Sequence, residues 1–173
     1  MKRSASFSRD RRYRYELGRR WGLGPAVTWV MLNPSTADAT VDDPTIRRCI
    51  DFSRNWGFGG LRVVNLFALR TPEPSALLHV DDLLGPGGDR RLREVLRAVL
   101  RAADEVVVAW GNVHPRLGAR VEAIASLLPA ETSCLGLTAR GEPRHPLYVR
   151  GDTRRVPFGE ALSVFRATRT MAA

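Results

Sequence analysis

The 173-residue sequence predicts a single α/β domain of three layers (α/β/α), with a central four-stranded, mainly parallel sheet between helices. Three observations predict it. Four short apolar runs, 26–32, 61–66, 106–109 and 132–137, have the near-continuous hydrophobicity of strands buried on both faces. Between them, apolar residues recur at three- and four-residue spacing, which marks amphipathic helices carrying the chain back to the same sheet edge. Each run also stops on polar residues: Asn33-Pro34-Ser35, Asn65, Trp110-Gly111-Asn112 and Thr138. In open α/β sheets that edge is where ligands sit.

The chain opens with a basic segment, 1–22, in which Lys2, Arg3, Arg9, Arg11, Arg12, Arg14, Arg19 and Arg20 face only Asp10 and Glu16. Within it, 11–16 alternates arginine with Tyr13 and Tyr15. This period of two suits an edge strand with its arginine face in solvent, and makes Arg11, Arg12 and Arg14 candidate phosphate contacts. The same alternation also suits stacking on bases, although antiparallel strands carry aromatic alternation for structural reasons alone. Residues 22–25 turn the chain into the first buried run.

After the Asn33-Pro34-Ser35 tip, Asp43 and Pro44 predict a helix start, as N-cap and first helical residue. Ile46, Cys49, Ile50 and Ser53 then share one face. Residues 56–60 (WGFGG) end that helix and lead into the second run. The loops 68–74 and 81–88 carry no glycine pattern that cradles a phosphate. Asp89 is placed to cap a long helix with Leu92, Leu96, Val99, Leu100 and Ala103 inward and its arginines in solvent. His114 precedes a helix over 116–128 with Leu117, Val121, Ile124 and Leu128 inward. Loop 139–150 follows the fourth run and holds His145-Pro146, and a last helix begins at Pro157 with Leu162, Val164 and Phe165 inward.

Composition narrows the function classes. Hydrophobic residues at 44% and charged residues at 26% are ordinary for a globular chain, and no apolar run approaches the roughly 20 residues of a membrane span. With no apolar core after the basic N-terminus, the expectation is a cytoplasmic protein, monomeric by default. Cys49 and Cys134 read as small buried side chains, and two cysteines cannot supply a four-cysteine zinc or iron–sulfur site. No metal or cofactor motif is present in the sequence. The balance of 27 Lys+Arg against 18 Asp+Glu, a net +9, favours a polyanion partner such as DNA, although a GC-rich genome produces the same excess of arginine.

The strand tips carry the candidate chemistry. Pro34 removes an N–H and holds Asn33 extended, so the Asn33 amide is fixed where it can orient a water or a polar substrate edge. Taken alone, Asn-Pro-Ser is equally a turn that ends a strand. His145 stands before Pro146 in an arginine-rich loop containing Arg140, Arg144 and Arg150, an exposed and rigid setting.

The motifs MLNPSTAD (31–38), DPTIRRC (43–49), WGFGGLRVVNLFALR (56–70), VVAWG (107–111) and GEPRHPLYV (141–149) together resemble a bacterial family of unknown function. More distantly, their order is similar to that of the uracil-DNA glycosylase superfamily, in particular its mismatch-specific branch. That resemblance implies a glycosylase-like fold and action on, or binding to, DNA, with hydrolysis of the N-glycosidic bond of an extruded base. It gives Asn33 the part of positioning the hydrolytic water, and Asn65 that of reading the base edge. His145 would stabilise charge on the departing base. Pro34 and Pro146 would stiffen their loops, Ser35 would line the substrate site, and Phe52, Trp56 or Phe67 would stack on the base. A non-catalytic nucleic-acid-binding module and a small-molecule enzyme of flavodoxin-like layout are the alternatives.

Overall fold

A computed structural model describes residues 1–102 and 104–163. Its strands are β1 (Lys2–Phe7), β2 (Arg14–Arg20), β3 (Ala26–Met31), β4 (Gly60–Asn65), β5 (Val106–Val108), β6 (Ser133–Cys134) and β7 (Val156–Pro157). Helices α1 (Pro44–Asn55), α2 (Gly88–Ala102) and α3 (Gly118–Ala125) follow β3, β4 and β5. The strands form one mixed sheet in the order β1-β2-β4-β3-β5-β6-β7. Its centre, β4-β3-β5-β6, is parallel and consists of the four runs read from the sequence, the last shortened to two residues. The sheet therefore has seven strands rather than four. The extra three pair antiparallel at its two sides, and two-residue β7 is too short to show a period.

Side chains one residue apart enter opposite cores, as the pleat requires. Trp29, Met31, Leu61 and Val63 pack with Ile46, Cys49, Ile50 and Phe52 of α1. Val30, Val64, Val106 and Val108 pack on the other side with Leu92, Val95, Leu96 and Val99 of α2 and Val121 and Ile124 of α3. Helices thus lie on both faces of the sheet. Leu100, expected inward, is exposed, because Val95 completes the stripe of α2 in its place. Asp89 lies in the first turn of α2, where its carboxylate accepts from Arg93 and Arg120. Phe158 opens a helical stretch over 158–163 and joins the second core, whereas Ala103, Val164 and Phe165 fall outside the described residues. No described helix is long and apolar enough to cross a membrane.

The N-terminal segment departs most from expectation. It supplies two strands, with β1 at the edge and β2 inside, and only part of the arginine face is in solvent: Arg11 and Arg12 are exposed, whereas Arg14, and Arg19 beyond it, are each 2% exposed. Burial of Arg19 is tolerable because all five of its donors are satisfied. Nε donates to Asp42 Oδ1 at 2.7 Å, and the remaining N–H groups reach the carbonyls of Ser4, Gly18, Asp38 and Val41.

At the N-terminal end of the parallel strands, two loops close on each other backbone to backbone. Trp21 and Gly22 N–H both donate to Gly59 O at 2.9 Å, and Gly59 N–H donates to Pro25 O at 2.8 Å. A Cβ on Gly59 would lie 2.6 Å from Gly24 N, so only glycine fits. The Trp21 indole N–H covers Phe58 O at 2.8 Å.

Candidate functional site

Register places the opposite ends of the parallel strands side by side: Met31 pairs with Asn65, and Val30 with Val108. The connection after β3 crosses the α1 face, while those after β4 and β5 cross the other face, which leaves a crevice between their loops. The loops enclose a cleft of about 730 Å³. It is lined by Asn33, Ser35, Asp43, Asn65, Thr71, Trp110, Thr138, Arg144, His145 and Tyr148, with Arg14 reaching in from β2. Asn33, Asn65 and His145, separated by up to 112 positions in the chain, are thereby brought to one place.

Each of these three side chains is held by the protein on one side only. Arg14 can only donate, so the Asn65 amide must turn its oxygen toward it. Arg14 Nη2 donates to Asn65 Oδ1 at 3.3 Å and Nη1 donates to Ala37 O at 2.9 Å, while buried Nε has no partner among the described residues. The Asn65 NH2 group makes no hydrogen bond among the described residues and lines the cleft. Burial lowers the Arg14 pKa to about 10, against the Asp43 carboxylate that raises it, and the guanidinium stays cationic at neutral pH.

Asn33 has the opposite polarity. Its Nδ2 donates to Pro34 O at 3.0 Å and Thr71 O at 2.9 Å, two groups that only accept, so Oδ1 is the atom left over. In His145, Nδ1 accepts the Leu147 N–H at 3.3 Å as the cap of the 3-10 turn Pro146–Tyr148. That bond assigns the proton of the neutral ring to Nε2. Burial pushes the His145 pKa down to about 4, partly opposed by the Asp43 carboxylate, and the ring is a neutral Nε2–H donor at neutral pH.

Asp43 caps α1 as the sequence predicts, its Oδ1 accepting from Ile46 N–H at 2.8 Å. Its Oδ2 also accepts from Ala37 N–H at 3.3 Å, and the carboxylate lines the cleft, a position that the capping signal alone did not reveal. For Arg14, too, the sequence pattern predicts a solvent contact, whereas the side chain is buried. Its pairing with Asn65 spans 51 residues, beyond any local pattern.

The remaining sequence candidates fall in several places. Pro34 and Pro146 are buried behind the lining, and Ser35 is half-buried in it. The proposed stacking faces lie away from the cleft: Phe52 and Phe67 are core residues and Trp56 is half-buried against the core. Trp56 stacks on Trp29 and Phe52 at centroid distances of 5.5 and 5.4 Å, and Phe67 is buried with the α2 side. Apolar rings on the inner faces of α1 and the sheet are drawn into the cores rather than to the edge. Beside buried Trp110, the cleft offers an exposed aromatic ring in Tyr148, 5.5 Å from the His145 ring. It stands one 3-10 turn after His145, and that spacing in HPLY is the signal that would have found it.

Among the arginines, Arg144 lines the cleft with Nε donating to Leu137 O at 2.9 Å, Arg140 is exposed, and Arg150 pairs with Asp152 at 3.1 Å. Arg11 and Arg12 project from the turn between β1 and β2, which lies at the same sheet edge as the cleft. Arg11 holds a left-handed φ of 57° with its guanidinium 4.2 Å over the Phe7 ring, and Arg70 stacks on the same ring at 5.0 Å.

Neither the curated proteins nor the solved structures contain a match to this chain. A family match runs over residues 14–147, from the arginine that holds Asn65 to the backbone N–H that holds His145. The chain belongs to the family described as "Protein of unknown function (DUF1643)".

Proposed function

We propose that the cleft takes the base of an extruded nucleotide and hydrolyses its N-glycosidic bond, in the manner of the uracil-DNA glycosylase superfamily that the sequence resembles. One observation carries this reading: three strand-tip side chains, locked from behind, present one acceptor and two donors to a single cleft. Glycosidic hydrolysis needs that set. Asn33 Oδ1 accepts from a water and holds its lone pair toward the sugar carbon. As the C1′–N bond breaks, the base departs with the bonding pair, and the Nε2–H of His145 donates to the charge that develops on it. The C1′–O bond forms, and the proton lost by the water balances the departing base. The Asn65 NH2 holds a carbonyl of that base. Asp43, a fixed anion in the same lining, favours a sugar that turns positive in the transition state.

Arg144 in the cleft lining, with exposed Arg11, Arg12 and Arg140 on loops at the same sheet edge, suits a phosphate backbone on either side of an extruded nucleotide. They equally support a second reading, a nucleic-acid-binding module without chemistry. The test is incubation with uracil-, hypoxanthine- and mismatch-containing single and double strands, followed by alkaline cleavage at abasic sites. Base release that disappears in Asn33→Ala and His145→Ala is the expected result. Salt-dependent binding with no base released from any strand replaces the enzyme by the binding module.

A further inference from the structure

The turn that carries His145 is tied to the rest of the protein by one side chain. Its own bonds are local: His145 Nδ1 accepts the Leu147 N–H at 3.3 Å, and the Tyr148 N–H donates to His145 O at 3.0 Å. Arg48 of α1 supplies the outside hold. Its Nε donates to Pro146 O at 3.3 Å and its Nη2 to Val149 O at 2.6 Å, so one guanidinium spans the turn from the residue after His145 to the residue after Tyr148. Among the described residues, no other hydrogen bond joins 145–149 to the rest of the chain. Both acceptors are carbonyls bonded by a cation, which strengthens the hold.

The guanidinium is fixed in its turn. Arg48 and Phe52 lie one helical turn apart on α1, and the guanidinium stands 5.0 Å from the centroid of the Phe52 ring, itself 1% exposed. The same helix begins at Asp43, whose carboxylate lines the cleft, whereas Arg48 stands outside that lining. Helix α1 thus sets the anion of the cleft at its first turn and holds the turn bearing the donor from its middle. We infer that Arg48 is a positioning residue for His145: by fixing Pro146 O and Val149 O to α1, it keeps the Nε2–H where the departing base needs a donor. The catalytic part of this inference rests on the nucleobase reading above. The mechanical part, that Arg48 keeps the ring in its place, stands without it.

Arg48→Met keeps an apolar stem over Phe52 and removes both donors. The first readout is a nuclear magnetic resonance titration of the His145 ring in the intact protein. Burial holds that ring at about 4, with Asp43 the charge that opposes the shift, and Arg48 meets the turn at backbone carbonyls. In Arg48→Met the released turn gives the ring to water, and its pKa is expected to rise toward the ordinary 6.5 while wild type stays near 4. Should Arg48→Met not fold, Arg48→Gln serves instead, since it donates from a single NH2 and is expected to move the titration in the same direction. The second readout is base release, expected to fall about 10- to 100-fold in kcat with KM little changed. Added to His145→Ala, Arg48→Met is expected to cost nothing more, because the group it positions is already gone. A folded variant whose His145 titrates as in wild type overturns the inference, as does a loss of activity undiminished in the His145→Ala background. A raised His145 pKa in the variant, with no base released by wild type from any strand, supports Arg48 as the anchor of the turn while overturning the hydrolytic reading.

Discussion

The two ends of the parallel strands are closed by opposite means. At the N-terminal end, backbone meets backbone through Gly24 and Gly59, and Trp21 gives its indole N–H to Phe58 O. At the C-terminal end, Asn33, Asn65 and His145 are each held by the protein through one polar atom and keep another for the cleft. Both ends contain aromatic rings and arginines, so composition does not tell them apart. What separates them is whether the polar groups are matched internally, and a free polar half held in a fixed direction is what a ligand site requires.

Substitutions should divide along that line. The largest effect is expected at the open end, where His145→Ala lowers base release about 10²- to 10³-fold, roughly 3–4 kcal/mol of barrier, with the midpoint of denaturant unfolding little changed. An equal fall in stability would erase the contrast. Next is Gly59→Ala at the closed end, which forces a Cβ to 2.6 Å from Gly24 N. It should lower unfolding free energy by about 1–3 kcal/mol while folded protein keeps its ligand affinity.

A smaller effect should follow pH. Burial holds His145 at about 4 instead of 6.5, so the unfolded chain takes up the proton first as pH falls. Its stabilising contribution is complete above 6.5 and is withdrawn as pH drops from there toward 4. Denaturation midpoints across that window should fall more for wild type than for His145→Gln, and parallel curves would deny the ring its buried, neutral state. The smallest change is expected for Trp21→Phe, which removes one hydrogen bond and costs about 1 kcal/mol, with no effect on the cleft.

The parallel core and its polar tips were legible because strand burial and helix amphipathicity are local signals; Asp43 capping α1 was read for the same reason. The flanks were not. β7 is two residues long, and β1 and β2 depend on burying arginines whose acceptors lie on loops far along the chain. The identity of the tip residues could be read from their punctuation, but the direction in which each amide points could not. That direction is set by Arg14 for Asn65 and by Thr71 O for Asn33, contacts spanning 51 and 38 residues.

The bridge from Asn33 to the carbonyls of Pro34 and Thr71 also bears on how fast a ligand can bind. Turning that amide to suit an incoming molecule would set its oxygen against two carbonyls and leave Thr71 O without a donor among the described residues. Recognition at this tip therefore has no slow rearrangement to wait for. In stopped-flow mixing, the observed rate should rise in proportion to ligand concentration without reaching a plateau, and affinity differences among ligands should reside in how long each one stays.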